Sequence, residues 1–141
     1  MKFKYFTTSG VVDCRGKMVK RPMLELELLD FKGNKVFDSL ALVDSGADTT
    51  MVNAQYAVAL GVDLSKAKDR EVMGIGDGKV PVKVGTFSFR IKRIGDEVKV
   101  PAWFVDSPNV NILLGQEVFF ENYRIKFEKD HDTFEVTKFI R

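Results

Sequence analysis

Period-two alternation of apolar and polar residues recurs along this chain and restricts it to a fold made of strands. Leu24, Leu26 and Leu28 alternate with Glu25 and Glu27; Phe87, Phe89 and Ile91 alternate with Ser88 and Arg90; Tyr123, Ile125 and Phe127 alternate with Arg124 and Lys126. Successive side chains of a strand point to opposite faces, so each segment has one apolar and one wet face, as half-buried antiparallel strands do. Phe134 and Val136 continue the pattern beyond Lys129-Asp130-His131-Asp132, which reads as a hairpin turn. Two runs, 40–43 and 110–114, are apolar on both faces and suit central strands covered on both sides. One short helix is expected at about 54–60, with Asn53 as its N-cap and Gly61 as its stop, and a second short turn over 116–121. No linker, low-complexity tract or internal repeat interrupts the pattern. Many short strands with little helix point to an all-β fold, a compact barrel or sandwich.

A chain of 141 residues is expected to form a single domain, 1–141, with enough buried surface for a real core. Its net charge of +2 leaves no footprint for nucleic acid. The basic residues near the N-terminus (Lys2, Lys4, Arg15, Lys17, Lys20, Arg21) read as a solvated edge strand and loop. The single cysteine, Cys14, cannot form an internal disulfide, which suits a reducing compartment such as the cytoplasm. Met-Lys-Phe-Lys-Tyr-Phe has no apolar core of a signal peptide, and no stretch reaches the apolar length of a membrane span, so no membrane partner is expected.

The chemistry is concentrated at 40–50, Leu-Ala-Leu-Val-Asp-Ser-Gly-Ala-Asp-Thr-Thr. An apolar strand runs straight into a carboxylate, Asp44, which at a buried strand end must find a partner or change its proton affinity. Gly46 allows a sharp turn and close backbone approach, and Ser45 supplies a hydroxyl for backbone across the turn. An aspartate capping a strand-end turn is the plain alternative. A lone carboxylate is a poor catalyst of amide hydrolysis, whereas two form a good one. Like charges about 3 Å apart at an effective dielectric near 20 repel by roughly 5 kcal/mol, so such a pair holds one proton over a wide pH range. One member then acts as base toward a water while the other acts as acid toward the carbonyl.

Leu42-Val43-Asp44-Ser45-Gly46-Ala47-Asp48-Thr49-Thr50-Met51-Val52 resembles the active-site segment of the retroviral-type aspartic proteases, the retropepsins. Val72-Met73-Gly74-Ile75-Gly76-Asp77-Gly78 resembles the glycine-rich tip of that family's flap hairpin, and Asn111-Ile112-Leu113-Leu114-Gly115 its second signature, an apolar strand closed by glycine. Gln116-Glu117-Val118-Phe119-Phe120 is similar to the short helix that follows in cellular members. The likeness covers roughly 20–130 and is nearer to cellular, prokaryotic-type relatives than to the shorter viral enzymes. It implies a small closed β-barrel of the acid-protease type with one or two short helices. It further implies that Asp44 is the catalytic aspartate, that Ser45 interlocks the two active-site loops of a dimer, and that the Gly46 carbonyl contacts substrate. By the same resemblance Ala47 and Asp48 line the cleft, Met51 and Leu113 form apolar pocket walls, and Gly74, Ile75 and Gly76 close over the peptide. Three departures stand out. Ser45 replaces the commoner threonine. Gln116 occupies the place of a viral arginine that pairs with the acid matching Asp48, which leaves viral-style dimer bracing without its pair. Residues 12–21 have no counterpart.

Only one such motif is present. Asp38-Ser39-Leu40 lacks the glycine, and Asp106-Ser107-Pro108 carries proline in its place. A dyad therefore requires two chains, and the expectation is a twofold homodimer acting as an aspartic endopeptidase on a peptide or unfolded protein, without metal or other cofactor. In viral relatives the terminal strands knit the dimer. Met1 to Phe6 or 139–141 could do so here, or could pair within one subunit. The rival of a different class is a catalytically silent dimerisation or peptide-binding module on the same fold. Metal chemistry is disfavoured because Asp44 and Asp48 are four apart, no calcium-loop pattern occurs and His131 is the one imidazole. Cys14 and His131 make an improbable nucleophilic pair, and Trp103 reads as core or interface.

Overall fold

The computed structural model describes residues 1–65, 69–73 and 79–139. Its strands are β1 (Lys2–Lys4), β2 (Phe6–Val12), β3 (Met18–Arg21), β4 (Met23–Leu29), β5 (Lys35–Val43), β6 (Thr50–Asn53), β7 (Asp69–Met73), β8 (Lys79–Ile91), β9 (Glu97–Val105), β10 (Ile112–Leu114), β11 (Tyr123–Glu128) and β12 (Thr133–Lys138). A single helical turn, α1 (Tyr56–Ala59), follows β6. The main sheet runs β4-β5-β10-β6-β9-β8-β7, and a further β4–β8 pairing closes its first six strands into a barrel. Closure leaves no open edge among those six, which answers the edge problem of a small sheet.

The alternation seen in the sequence becomes the inside and outside of this barrel. Leu24, Leu26 and Leu28 of β4, Phe87, Phe89 and Ile91 of β8, Val100, Ala102 and Phe104 of β9 and Ile112 and Leu114 of β10 fill the interior with almost no exposure. Glu25 and Glu27 lie outside, where Lys92 meets Glu25 and Asp38, and Lys35 meets Glu27 and Asp38. The hydrogen bonds from Lys92 and then Lys35 hold the Asp38 carboxyl below the ordinary carboxylate value. Runs 40–43 and 110–114 are covered less completely than expected: Ala41, Val43, Ile112 and Leu114 are buried, but Leu42 and Leu113, on the outer face, are half-buried.

The helix expected at 54–60 is shorter and capped differently. Gln55 sits at the N-cap position without a side-chain bond. Asn53 ends β6 instead, where its Oδ1 accepts from the Gln55 N–H at 2.9 Å and its Nδ2 donates to Val110 O at 2.7 Å. Asn53 thus ties a turn to the β9–β10 connection, competing with a cap through local hydrogen bonds. Gly61 does end the helix, at φ +68.

The terminal strands pair within one subunit. β1 runs antiparallel to β12, which pairs with β11 in a separate three-stranded sheet ordered β1-β12-β11. Phe134 anchors it, stacked on Phe3 at 5.6 Å and edge-on to Tyr5 at 5.8 Å. Residues 12–21, unmatched in the sequence comparison, belong largely to the β2–β3 hairpin, a two-stranded sheet of its own. The turn between β11 and β12 falls at 129–131 as expected, with Asp132 left-handed at φ +50.

Candidate active site

The loop 44–49 links β5 to β6 and is gripped from the other side by the end of β10. β10 lies between these strands, parallel to β5 and antiparallel to β6. Pairing of Leu114 with Val43 continues one step further, because the Asp44 N–H donates to Leu114 O at 3.0 Å. Asp44 is two residues beyond Leu42 and continues the outward face of β5. Its side chain is half-buried, and its Oδ1 accepts the Gly46 N–H at 2.9 Å. The Ala47 N–H reaches back to Asp44 O at 3.2 Å, which completes the turn. A Cβ on Gly46 would lie 3.3 Å from the same Oδ1, so a side chain here would press on the carboxylate.

Gly115 is the second constraint. A Cβ there would meet Thr49 C at 2.6 Å, Thr49 O at 2.7 Å and Ala47 O at 2.8 Å, all backbone. Only glycine lets β10 lie this close to the loop. Its N–H donates to Thr50 Oγ1 at 3.1 Å, and Thr50 is fully buried. The next residues complete the grip: Gln116 N–H to Ala47 O at 2.8 Å, Glu117 N–H to Asp48 O at 2.9 Å, and Gln116 Nε2 to Ser45 O at 2.6 Å. The expected short helix is not formed here, since Glu117 (ψ 121) and Val118 (φ 66) are non-helical, and Phe119 fastens this turn (Gln116–Phe120) to the core, buried against Phe89 and Tyr123. Gln116 is thus tied to its own loop, not to Asp48 in the manner of the viral arginine.

An apolar stripe crosses the outer face beside Asp44. Strand register pairs Met23 with Leu42, Leu42 with Leu113, Leu113 with Met51, Met51 with Trp103 and Trp103 with Val84. All six are half-buried. Opposed residues of neighbouring strands share a face, so the six form one continuous band. At its Trp103 end lies a cavity of about 250 Å³ lined by Thr49, Val84, Pro101, Ala102, Trp103 and Glu117. Met51 and Leu113, singled out in the sequence, are direct neighbours here. Leu42 and Val84 were not singled out, and Trp103 was read as core or interface. Leu42 had a usable signal, its two-residue spacing from Asp44. Trp103 and Val84 had none, because they reach Met51 through the parallel β6–β9 pairing and not through local spacing.

Ser45, Gly46 and Asp48 are exposed and Ala47 is half-buried, all on the one loop. Gly74, Ile75 and Gly76 lie outside the described residues; the flanking strands β7 and β8 pair antiparallel up to Met73 and Lys79. Among the described residues no group of three or more His, Cys, Asp or Glu side chains is arranged to hold a metal ion, and no helix is long and apolar enough to cross a membrane. What the loop offers chemically is one half-buried carboxylate, aimed by a backbone N–H, at the head of an apolar band.

The sequence matches the family model described as aspartyl protease over residues 29–118. Among solved structures it is similar to a retropepsin-like aspartic protease from Rickettsia conorii, with a TM-score of 0.60, 20% identity, and 95% of this chain and 97% of that chain covered. It is also similar to the retroviral protease-like domain of Ddi1 from Leishmania major, with a TM-score of 0.55, 14% identity, and 84% and 89% covered. At these identities the likeness is one of fold, and the closed barrel is the retropepsin type. No protein of the curated set matches the sequence. The family match takes in most of the barrel, the Asp44 loop and the Gly115-Gln116-Glu117 grip that holds it, and the chain belongs to the aspartyl protease family.

Proposed function

We propose that the protein is a homodimeric aspartic endopeptidase in which Asp44 of each subunit contributes one half of a catalytic dyad. The observation that carries this reading is a single outward carboxylate, held by the Gly46 N–H at 2.9 Å on a loop clamped by β10. One such acid per chain is half of what amide hydrolysis needs, and a twofold axis supplies the other half. The two carboxylates would share one proton. The charged member takes a proton from a water as that water attacks the scissile carbonyl carbon. The protonated member gives its proton to the carbonyl oxygen, and the tetrahedral intermediate collapses as the leaving nitrogen is protonated. No metal, nucleotide or covalent intermediate enters.

Substrate would lie extended across the axis, with main-chain hydrogen bonds to the loop and alternate side chains on the apolar band. In this reading Leu42, Met51, Leu113, Trp103 and Val84 favour apolar residues around the cut. Ala47 and Asp48 hold substrate backbone, the Gly46 carbonyl accepts from it, and Ser45 meets its twin across the axis. Gly74, Ile75 and Gly76 close over the peptide. β1 pairs with β12 of its own chain along one side. β1 and β11 are the two outer strands of the three-stranded sheet, and each has a free edge among the described residues that a second copy would be able to extend. A thiol as exposed as Cys14 suits the reducing cytoplasm.

The test is turnover. Purified protein should cleave an unfolded protein substrate at mildly acidic pH, and Asp44→Asn, which keeps the shape but not the acid, should not. Cleavage that survives Asp44→Asn removes the assignment. A dimer that binds peptide without cutting it would instead identify a silent module.

A further inference from the structure

We propose that Gln116 is a positioning residue for Asp44, acting through the single peptide plane between Ser45 and Gly46. The inference rests on the reading of Asp44 as the catalytic acid. The two ends of that plane are both held. Its carbonyl oxygen, Ser45 O, accepts from Gln116 Nε2 at 2.6 Å. Its N–H, that of Gly46, donates to Asp44 Oδ1 at 2.9 Å. A trans peptide is rigid and directs its C=O and N–H to opposite sides, so fixing one end fixes the direction of the other. Rotation of this plane would break both hydrogen bonds together. Polarisation acts in the same sense, since a donor on the carbonyl makes the amide N–H a stronger donor to the carboxylate.

The orientation of the Gln116 amide follows from chemistry. Ser45 O can only accept, so the atom facing it is the NH₂ group. Gln116 is itself held firmly: its N–H binds Ala47 O at 2.8 Å, the Glu117 N–H binds Asp48 O at 2.9 Å, and Phe119 is buried in the core three residues on. Ser45 and Gly46 are exposed, so a plane without the Gln116 donor is free to turn its carbonyl to water. Every contact in this relay lies within one subunit. The carboxylate is therefore aimed before a second chain arrives, and glutamine at 116 does this without adding charge to the site.

The experiment compares the full chain with Gln116→Met, which keeps length and loses the donor, and Gln116→Arg, which restores a donor. Loss of one hydrogen bond at the reacting group predicts a fall of about tenfold in kcat for Gln116→Met, with KM within about twofold and an unchanged melting temperature. Gln116→Arg should recover most of that loss. The Gly46 amide proton, followed by NMR, should exchange slowly in the parent and rapidly in Gln116→Met. A Gln116→Met protein with parental kcat overturns the inference. So does a kcat loss that tracks a drop in melting temperature while Gly46 exchange is unaltered. If the parent cleaves nothing, the exchange readout decides alone: protection lost in Gln116→Met upholds the relay, and equal protection overturns it.

Discussion

Replacing Gly115 by alanine isolates the contact on which the loop geometry depends. The added methyl would stand 2.6 Å from Thr49 C, where ordinary contact begins near 3.4 Å, with Thr49 O and Ala47 O at 2.7 and 2.8 Å. These are backbone atoms of the Asp44 loop, so no side chain can rotate away. Either β10 or the loop must move by the better part of an ångström. Overpacking of this kind costs about 1–3 kcal/mol. The same movement stretches the buried Gly115 N–H to Thr50 Oγ1 bond, at 3.1 Å, which adds about 0.5–1.5 kcal/mol. A combined loss of about 2–4 kcal/mol corresponds, for a chain of this size, to about 6–15 °C in melting temperature. Calorimetry or denaturant unfolding measures it directly. Gly46→Ala is the paired control. Its methyl meets only Asp44 Oδ1, at 3.3 Å, so it should cost under about 1 kcal/mol of stability while reducing turnover severely. A Gly115→Ala protein that melts within about 2 °C of the parent would show that β10 does not clamp the loop.

Thr50→Val removes the hydroxyl that receives the Gly115 N–H inside the barrel and leaves that donor buried without an acceptor. It should cost about 1–3 kcal/mol by urea unfolding, with little change in shape. Trp103→Ala should open the far end of the apolar band and raise KM for substrates with large apolar residues at the cut more than it lowers kcat, as steady-state kinetics on a peptide series will report. For Asp38, the hydrogen bonds from Lys92 and Lys35 favour the charged form, so the unfolded chain binds its proton first as pH falls. The stabilisation is complete above the ordinary carboxylate value of 3.8 and is lost as pH falls through the lower folded value. The gap in melting temperature between the parent and Asp38→Asn should accordingly be present at neutral pH and close below about pH 4.

Much of the barrel was legible because its strands each carry their own instruction. Leu24, Leu26 and Leu28, or Phe87, Phe89 and Ile91, announce one buried face without reference to any other segment. The Asp44 turn was legible for a similar reason, since an acid closing an apolar run and followed by Ser-Gly is a local pattern. What escaped depends on distance in sequence. The Leu42–Leu113–Met51–Trp103 band exists only because β10 inserts between β5 and β6 and because β6 runs parallel to β9. Asn53 carried a cap signal, but its amide found Val110 O at 2.7 Å, a partner that local reading does not supply. Gln116 read as the loss of an arginine; its bond to Ser45 O spans 71 positions and emerges only from the fold.

The central claim is that two Asp44 side chains form one catalytic centre. Two differently tagged forms, the parent and Asp44→Asn, can be co-expressed and the mixed dimer isolated by sequential affinity capture. A shared dyad predicts that the mixed dimer is as inactive as the doubly substituted one, since a single charged carboxylate cannot supply both base and acid. A mixed dimer with half the parental activity, or a strictly monomeric parent that still cleaves, would contradict it.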